Sequence, residues 1–309
     1  MEVLVMSRPG TFFYKVSEGG CGMRRSKTSS FGVPRREGHD SSTFYKRALY
    51  DGKEEKKPTG KISIPPSGII DQIFCHTAEK MHEIPDNCVD LMVTSPPYCT
   101  GKDYDPDLTL DQYLALLERV FREVYRVLKP GGRAAVNIAN LGRKPYLPLS
   151  AYISSLCEGI GFLMRGEIIW DKGTIAGSCA WGSWCSPANP VLRDAHEYIL
   201  IFTKESYGRI DREGKKATLN KDEFLAYTQS IWRLSPEKAK QIGHPAPFPV
   251  ELPWRLIRLY TYEGDLVLDP FLGSGSTAVA AKKSGRFFVG YEMEPQYVEL
   301  AVRRLEEYS

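Results

Sequence analysis

Leu266-Val267-Leu268-Asp269-Pro270-Phe271-Leu272-Gly273-Ser274-Gly275-Ser276-Thr277 reads as a strand, a glycine turn and the opening of a helix. The glycines let backbone approach a ligand closely, and the helix that follows offers free N–H groups in its first turn. An acid closes the next strand, Val289-Gly290-Tyr291-Glu292, one βαβ step after Asp269. A carboxylate at that position can accept both ribose hydroxyls of an adenosine. A cap for the helix that starts at Pro295 is its alternative role. No Gly-Lys-Ser/Thr follows the glycines, which removes a P-loop.

Outward from this stretch, strands and helices alternate. Short strands are expected at Ile69–Phe74, Cys88–Thr94, Arg133–Ala139, Phe162–Trp170, Glu197–Thr203, Leu266–Leu268 and Arg286–Tyr291. Thr109-Leu110-Asp111-Gln112 has the form of a capping box. Its helix carries apolar residues near a 3.6 period, from Tyr113 to Leu128, and Lys129-Pro130-Gly131-Gly132 is expected to end it in a turn. Further helices are expected at Leu147–Gly159, Val250–Tyr260, Thr277–Lys283 and Pro295–Glu307. Repeated βα units imply an α/β fold with a doubly wound, mostly parallel sheet and helices on both faces.

Residues 1–66 lack sustained periodicity and are rich in Gly, Ser, Pro, Lys and Arg. They are expected to form a flexible basic extension before a domain at 67–309. Residues 1–60 carry 12 Lys and Arg against 7 Asp and Glu, although the whole chain has a net charge of only +3. The Gly-, Ser- and Trp-rich stretch 173–194 and the charged stretch 204–243 interrupt the alternation. No apolar run reaches transmembrane length, and Arg8 and Pro9 cut short any secretory segment. Seven cysteines without a Cys-x-x-Cys pair argue against a disulfide framework or a zinc site, so a reducing cytoplasm is expected.

A second stretch bears on chemistry. The apolar run Val89-Asp90-Leu91-Met92-Val93 stops in Thr94-Ser95-Pro96-Pro97-Tyr98. Two prolines fix φ and offer no N–H, so the strand ends in a rigid polar loop with an aromatic tip. Open α/β sheets hold their ligands at such carboxyl ends.

Three motifs in fixed order resemble the exocyclic-amino DNA methyltransferases, over roughly residues 70–307. Asp269-Pro270-Phe271-x-Gly273-x-Gly275-Ser276-Thr277 is similar to that family's S-adenosylmethionine motif. Thr94-Ser95-Pro96-Pro97-Tyr98 is similar to its catalytic motif. His244-Pro245-Ala246-Pro247-Phe248-Pro249 resembles the segment that closes over the methionine moiety. The order, catalytic motif first, is similar to the β-arranged group, and a Rossmann-like methyltransferase fold is implied.

The resemblance implies residue roles. Asp269, Pro270, Phe271, Gly273, Ser274, Gly275, Ser276 and Thr277 would shape the cofactor pocket, with His244, Pro245 and Phe248 over it and Glu292 on the ribose. Ser95, Pro96, Pro97 and Tyr98 would hold the target base. Cys75-His76 stands where the family often has Gly-Asp, so His76 would have to accept the bond from the cofactor's adenine amine.

An exocyclic amine is a poor nucleophile because its lone pair is delocalised into the ring. The Pro96 carbonyl and the Ser95 hydroxyl are a suitable acceptor pair for drawing its N–H bonds out of plane. Tyr98 would stack on a base swung out of the duplex. In the family, Ser at the first loop position usually accompanies cytosine N4 methylation and Asp adenine N6 methylation, so N4-cytosine is expected and N6-adenine is the alternative. Cytosine C5 methylation needs a Pro-Cys nucleophile, and no proline precedes any cysteine; Cys99 is read as packing.

Other residues are less decisive. Trp170-Asp171-Lys172 ends a strand and is placed to line the base pocket. His196-Glu197 resembles a recurrent family pair, for which a structural hydrogen-bonding role is expected. Trp181 and Trp184 are either a substrate flap or anchors of a loose loop. Lys204, Arg209, Arg212, Lys215, Lys216 and Lys221 are either a solvated surface or a phosphate-contacting run. The family places its sequence-reading region here, which favours a target-recognition insertion at about 173–243. Double-stranded DNA is thus the expected partner, with a restriction endonuclease of the same specificity a second one. An RNA or protein methyltransferase and a non-catalytic nucleotide-binding module are the readings from other classes.

Overall fold

The computed structural model describes residues 45–98, 107–142, 144–173, 182–237 and 248–308. Residues 45–54 belong to a small unit that ends at Glu54; its described part holds a 3-10 turn, Ala48–Tyr50, with the Tyr45 and Tyr50 rings edge to face. The second unit begins at Glu55, ahead of the expected boundary at 67. The Thr59 N–H donates to the Glu205 carboxylate at 2.9 Å, and the Ser63 N–H to the Asn87 carbonyl at 3.0 Å. The stretch 55–66, expected to be flexible, is therefore hydrogen-bonded to the domain that follows.

Ten strands are β1 (Gln72–Phe74), β2 (Val89–Thr94), β3 (Leu128–Ile138), β4 (Leu141–Gly142), β5 (Tyr146–Leu147), β6 (Leu163–Asp171), β7 (His196–Thr203), β8 (Ile231–Arg233), β9 (Leu266–Asp269) and β10 (Phe287–Tyr291). The helices among the described residues are α1 (Leu110–Val127), α2 (Leu149–Ile160), α3 (Lys221–Tyr227), α4 (Glu251–Tyr260), α5 (Ser276–Lys283) and α6 (Pro295–Glu306). Eight strands form one sheet in the order β1-β10-β9-β2-β3-β7-β6-β8, and β4 and β5 make a separate ribbon. All pairs in the sheet are parallel except those of β7, which runs against both β3 and β6. The strand order reverses around β2 and β9, which lie side by side. Such a switch point opens a crevice at the carboxyl ends of the strands.

The sheet buries both faces. Met92, Ala134 and Val136 pack with α1 and α2 on one side, while Leu91, Val93, Ala135 and Val267 pack with α4 and α5 on the other. This alternation is the period of two that a strand imposes. On α1 the stripe Tyr113, Leu117, Val120, Phe121, Val124 and Val127 is buried. Each large apolar side chain of that stripe contributes about 1.5–3 kcal/mol on full burial. The capping box is formed: Thr109 Oγ1 accepts from the Gln112 N–H, and Gln112 Oε1 from the Thr109 N–H.

Two expectations are corrected. Lys129-Pro130-Gly131-Gly132 is not a separate turn, because α1 passes directly into β3 and Leu128 already pairs with Val89. The four residues are a bulge taken up before Leu91 pairs with Arg133. Gly131 is required there: at φ +76°, a Cβ would stand 2.1 Å from the Gly208 carbonyl oxygen. The charged stretch after β7 is more ordered than its weak periodicity suggests. It contains α3, with its own Asn220–Glu223 capping box, and β8, which extends the main sheet alongside β6. Among the described residues no helix is long and apolar enough to cross a membrane.

Candidate functional site

The strands β2 and β9 end side by side, so the Ser95–Tyr98 loop and the Pro270–Gly275 turn start as neighbours although far apart in sequence. A buried carboxylate ties them together. Asp269 Oδ1 accepts from Thr94 Oγ1 at 2.6 Å and from the Phe271 N–H at 3.1 Å, and Oδ2 accepts from Thr277 Oγ1 at 2.7 Å. Burial pushes the Asp269 pKa up to about 6, against the lowering effect of these bonds. Asp269 and Thr277, expected to shape the cofactor pocket, lie behind its wall as a brace.

The glycine turn is held from two directions. Glu292 accepts from the Gly273 N–H through Oε2 at 2.8 Å and from the Glu294 N–H through Oε1 at 2.9 Å. Each oxygen keeps a further lone pair, so the ribose role and the turn-capping role are compatible. Burial raises the Glu292 pKa, while its backbone hydrogen bonds act to lower it. From α6, the buried Arg304 donates to the Ser274 carbonyl at 2.6 Å and to Ser274 Oγ at 2.9 Å. Gly275 has φ +81°, and a Cβ there would lie 2.8 Å from the Ala301 Cβ on the same helix. Ser276 Oγ donates to the Phe248 carbonyl at 3.0 Å, joining the turn to the segment that precedes α4.

On the other loop, polar groups from three further strands converge. Tyr98 OH lies 3.2 Å from Ser95 Oγ and donates to Glu197 Oε2 at 3.1 Å. Asn137 Nδ2, near the end of β3, donates to the same Glu197 oxygen at 2.6 Å. Lys172, just past β6, pairs with Glu197 Oε1 and lies over the Trp170 ring. Trp170 is itself anchored by its indole N–H on the Leu234 carbonyl at 2.8 Å. Burial and the neighbouring Glu197 charge push the Tyr98 phenol far up, so it acts as a neutral donor.

Both loops open into one cavity of about 720 Å³. Ser95, Pro96, Pro97 and Tyr98 form one part of its wall, with Asn137, Trp170, Lys172 and Glu197; Pro270, Phe271, Gly273, Ser274, Ser276, Glu292 and Phe248 form another. Such a volume is typical of small-ligand sites. Sequence reasoning does not assign Asn137 and Glu197 to this site. The signal is a polar residue between Val136 and Ile138 for Asn137 and, for Glu197, the His196-Glu197 pair expected to form hydrogen bonds.

His76 reaches the rim of the same cavity. Its Nδ1 lies 3.0 Å from the Thr77 carbonyl, and its Nε2 3.0 Å from Glu83 Oε1. Both nitrogens are thus engaged within the chain, and an adenine amine would have to displace one of these contacts to reach a ring nitrogen. Tyr291, edge-on to the imidazole, donates to the other Glu83 oxygen at 3.0 Å.

Three residues of the basic run, Lys204, Arg209 and Lys215, are engaged within the chain. Lys204 is buried and donates to Asn87 Oδ1 at 2.7 Å, and burial lowers its pKa. Arg209 and Lys215 join Lys129 in a cluster with Asp90, Asp211 and Asp265. The Arg209 guanidinium meets Asp90 at 2.5 Å and Asp265 at 3.0 Å, and Lys215 meets Asp265 at 2.6 Å. Burial acts to raise the Asp211 pKa, but hydrogen bonds from Arg209 and Lys215 hold it well below the usual range. Asp90 and Asp265 sit at the amino ends of β2 and β9, so this cluster is at the end of the sheet opposite Ser95. Lys216 is exposed and pairs with Glu263 at 2.8 Å, while Arg212 and Lys221 are exposed. Trp184 is 70% exposed, in the segment between the carboxyl end of β6 and the start of β7. Cys99, Trp181, His244 and Pro245 lie outside the described residues.

A family model described as DNA methylase, for N6 and N4 methyltransferases, matches residues 89–303. The Type II methyltransferase M.MthZI of Methanothermobacter thermautotrophicus is 30% identical over 271 residues, covering 76% of each chain. M.MjaI, a Type II methyltransferase of Methanocaldococcus jannaschii, is 33% identical over 266 residues, covering 72% of this chain and 87% of that one. A Thermus thermophilus protein, provisionally named a DNA modification methylase and solved with S-adenosyl-L-methionine, superimposes with a TM-score of 0.62. It is 33% identical, covering 76% of this chain and 95% of that one.

Proposed function

The chain belongs to the N6/N4 DNA methylase family, and from that premise we propose that it methylates the N4 amino group of cytosine in a specific duplex sequence. It is an S-adenosylmethionine-dependent DNA methyltransferase; the choice of base rests on Ser95 at the head of the catalytic loop. The observation that carries the reading is the shared cavity, whose wall includes Ser95 and Tyr98 as well as Phe271 and Glu292.

The residues present fit the cofactor. A glycine turn closed on Glu292 leaves room for backbone approach, Phe271 offers an aromatic wall, and Glu292 keeps acceptor capacity for hydroxyls. When bound there, S-adenosylmethionine supplies an electrophilic sulfonium methyl. The chain's own work is on the acceptor. Ser95 Oγ and the Pro96 carbonyl would take the two amine N–H bonds, drawing them from the plane of the base and localising the nitrogen lone pair. Pro96-Pro97 holds both acceptors in place before the reaction, where preorganised dipoles act most strongly. The Tyr98 ring supports an extruded base, and the apolar walls exclude water. Fixing amine and methyl in line supplies much of the remaining acceleration.

Relatives named Type II methyltransferases support a role beside a restriction endonuclease that cuts the same sequence. The described residues 182–195, which precede the start of β7 and follow the carboxyl end of β6, support a DNA-reading role for this part of the expected insertion at about 173–243. The test is transfer from tritiated cofactor to genomic DNA, followed by nucleoside digestion. Label in N4-methylcytosine is expected. Label in N6-methyladenine would overturn the base assignment, and unlabelled DNA would overturn the activity.

A further inference from the structure

Glu197 has a task that the methyltransferase reading does not assign. Its carboxylate is buried beside the catalytic loop, where it receives three donors: Tyr98 OH, Asn137 Nδ2 and Lys172 Nζ. A carboxylate accepts only, so the single proton of the Tyr98 hydroxyl is committed to it. The 3.2 Å contact between Ser95 Oγ and Tyr98 OH then has one possible direction, with Ser95 donating. The Asn137 amide reaches Ser95 Oγ only at 3.5 Å, whereas it meets Glu197 at 2.6 Å. The proton of Ser95 is thus turned inward, and its oxygen lone pair is left for the cavity.

We propose that Glu197 is a positioning residue for methyl transfer, which sets the polarity of the Ser95–Tyr98–Glu197 chain so that Ser95 meets the exocyclic amine as an acceptor. The amine brings N–H donors, and a serine free to rotate would also present its own proton to them. A donor facing a donor does not pyramidalise the nitrogen. Lys172 and Asn137 complete the arrangement, because they bond to the two oxygens of Glu197 and hold it against Tyr98. This inference rests on the reading that the Ser95 loop grips an exocyclic amine, and it holds for cytosine and adenine alike.

The experiment compares Tyr98→Phe and Glu197→Gln in two backgrounds, wild type and Ser95→Ala, with methyl transfer to duplex DNA as the readout. In the wild-type background each is expected to lower kcat roughly 10- to 100-fold, the value of one charge-assisted hydrogen bond. KM for DNA and cofactor affinity are expected to stay within about threefold, since binding contacts are untouched. In the Ser95→Ala background neither change is expected to lower kcat further, because the group they orient is gone. A merely structural role would lower kcat in both backgrounds, and that result overturns the proposal. So does a Tyr98→Phe enzyme that keeps its kcat within about threefold of wild type. Tyr98→Phe deletes one atom and decides the matter even if Glu197→Gln does not fold. Wild-type protein that transfers no methyl to an amine refutes the activity itself; an active wild type leaves only the variants to judge Glu197.

Discussion

Asp269 titrates in the range of ordinary buffers, and Asp269→Asn isolates what its ionisation costs. Asparagine keeps the shape: its oxygen can still accept from Thr94 and the Phe271 N–H, and its amide can donate to Thr277, whose hydroxyl rotates to accept. Burial raises the pKa from the usual 3.8 to about 6. At 1.36 kcal/mol per pKa unit, this corresponds to about 3 kcal/mol. Below pH 3.8 the acid is protonated in both states, and its contribution to stability is fully present. Between 3.8 and about 6 the unfolded chain ionises while the folded chain does not, so stability is lost as pH rises, and above about 6 the loss is complete. Urea denaturation of wild type and variant across about pH 4 to 7 reads the difference directly and cancels the other carboxylates. Wild type is expected to gain most of that 3 kcal/mol relative to the variant as pH falls. A flat difference, or a wild type favoured by rising pH, would refute the assignment of Asp269 as a desolvated brace.

Two further outcomes test other parts of the structure. Gly275→Ala places a methyl 2.8 Å from the Ala301 Cβ at a positive φ; thermal unfolding should show a loss of about 2–4 kcal/mol, and calorimetry a weaker affinity for S-adenosylmethionine. An unchanged midpoint with unchanged affinity counts against the close approach of α6. Lys215→Ala leaves Asp90, Asp211 and Asp265 with one cation fewer and should cost about 1–3 kcal/mol in urea, while the folded protein keeps its DNA affinity in filter binding. Lost DNA affinity at full stability would return Lys215 to the DNA interface.

What is legible in the sequence is what local chemistry dictates. The Thr109–Gln112 box, the proline pair after Thr94 and the glycines after Asp269 each act within a few residues of themselves, and the structure contains all of them. The basic run fails as a signal because its meaning lies in partners far along the chain. Arg209 meets Asp90 and Asp265 across the amino ends of β2 and β9, and charge alone does not tell a solvated lysine from a neutralised one. Strand β8 has three residues, too few for an alternation to register. Asn137 sits among the apolar residues at 134–138 and Glu197 opens β7 beside His196, and only the pairing of β3 with β7 brings the two into one cluster. His76 escapes a sequence reading for a similar reason, since Glu83 occupies the nitrogen that sequence leaves free.

The bond from Thr94 through Asp269 to Thr277 has a bearing on how such an enzyme can change over generations. The two loops that the proposed function assigns to reagent and target are hinged on one shared clasp, so a shift in one is transmitted at once to the other. Alterations there must arrive in matched sets. Changes away from this clasp, where neither Thr94 nor Thr277 has to move, can accumulate singly.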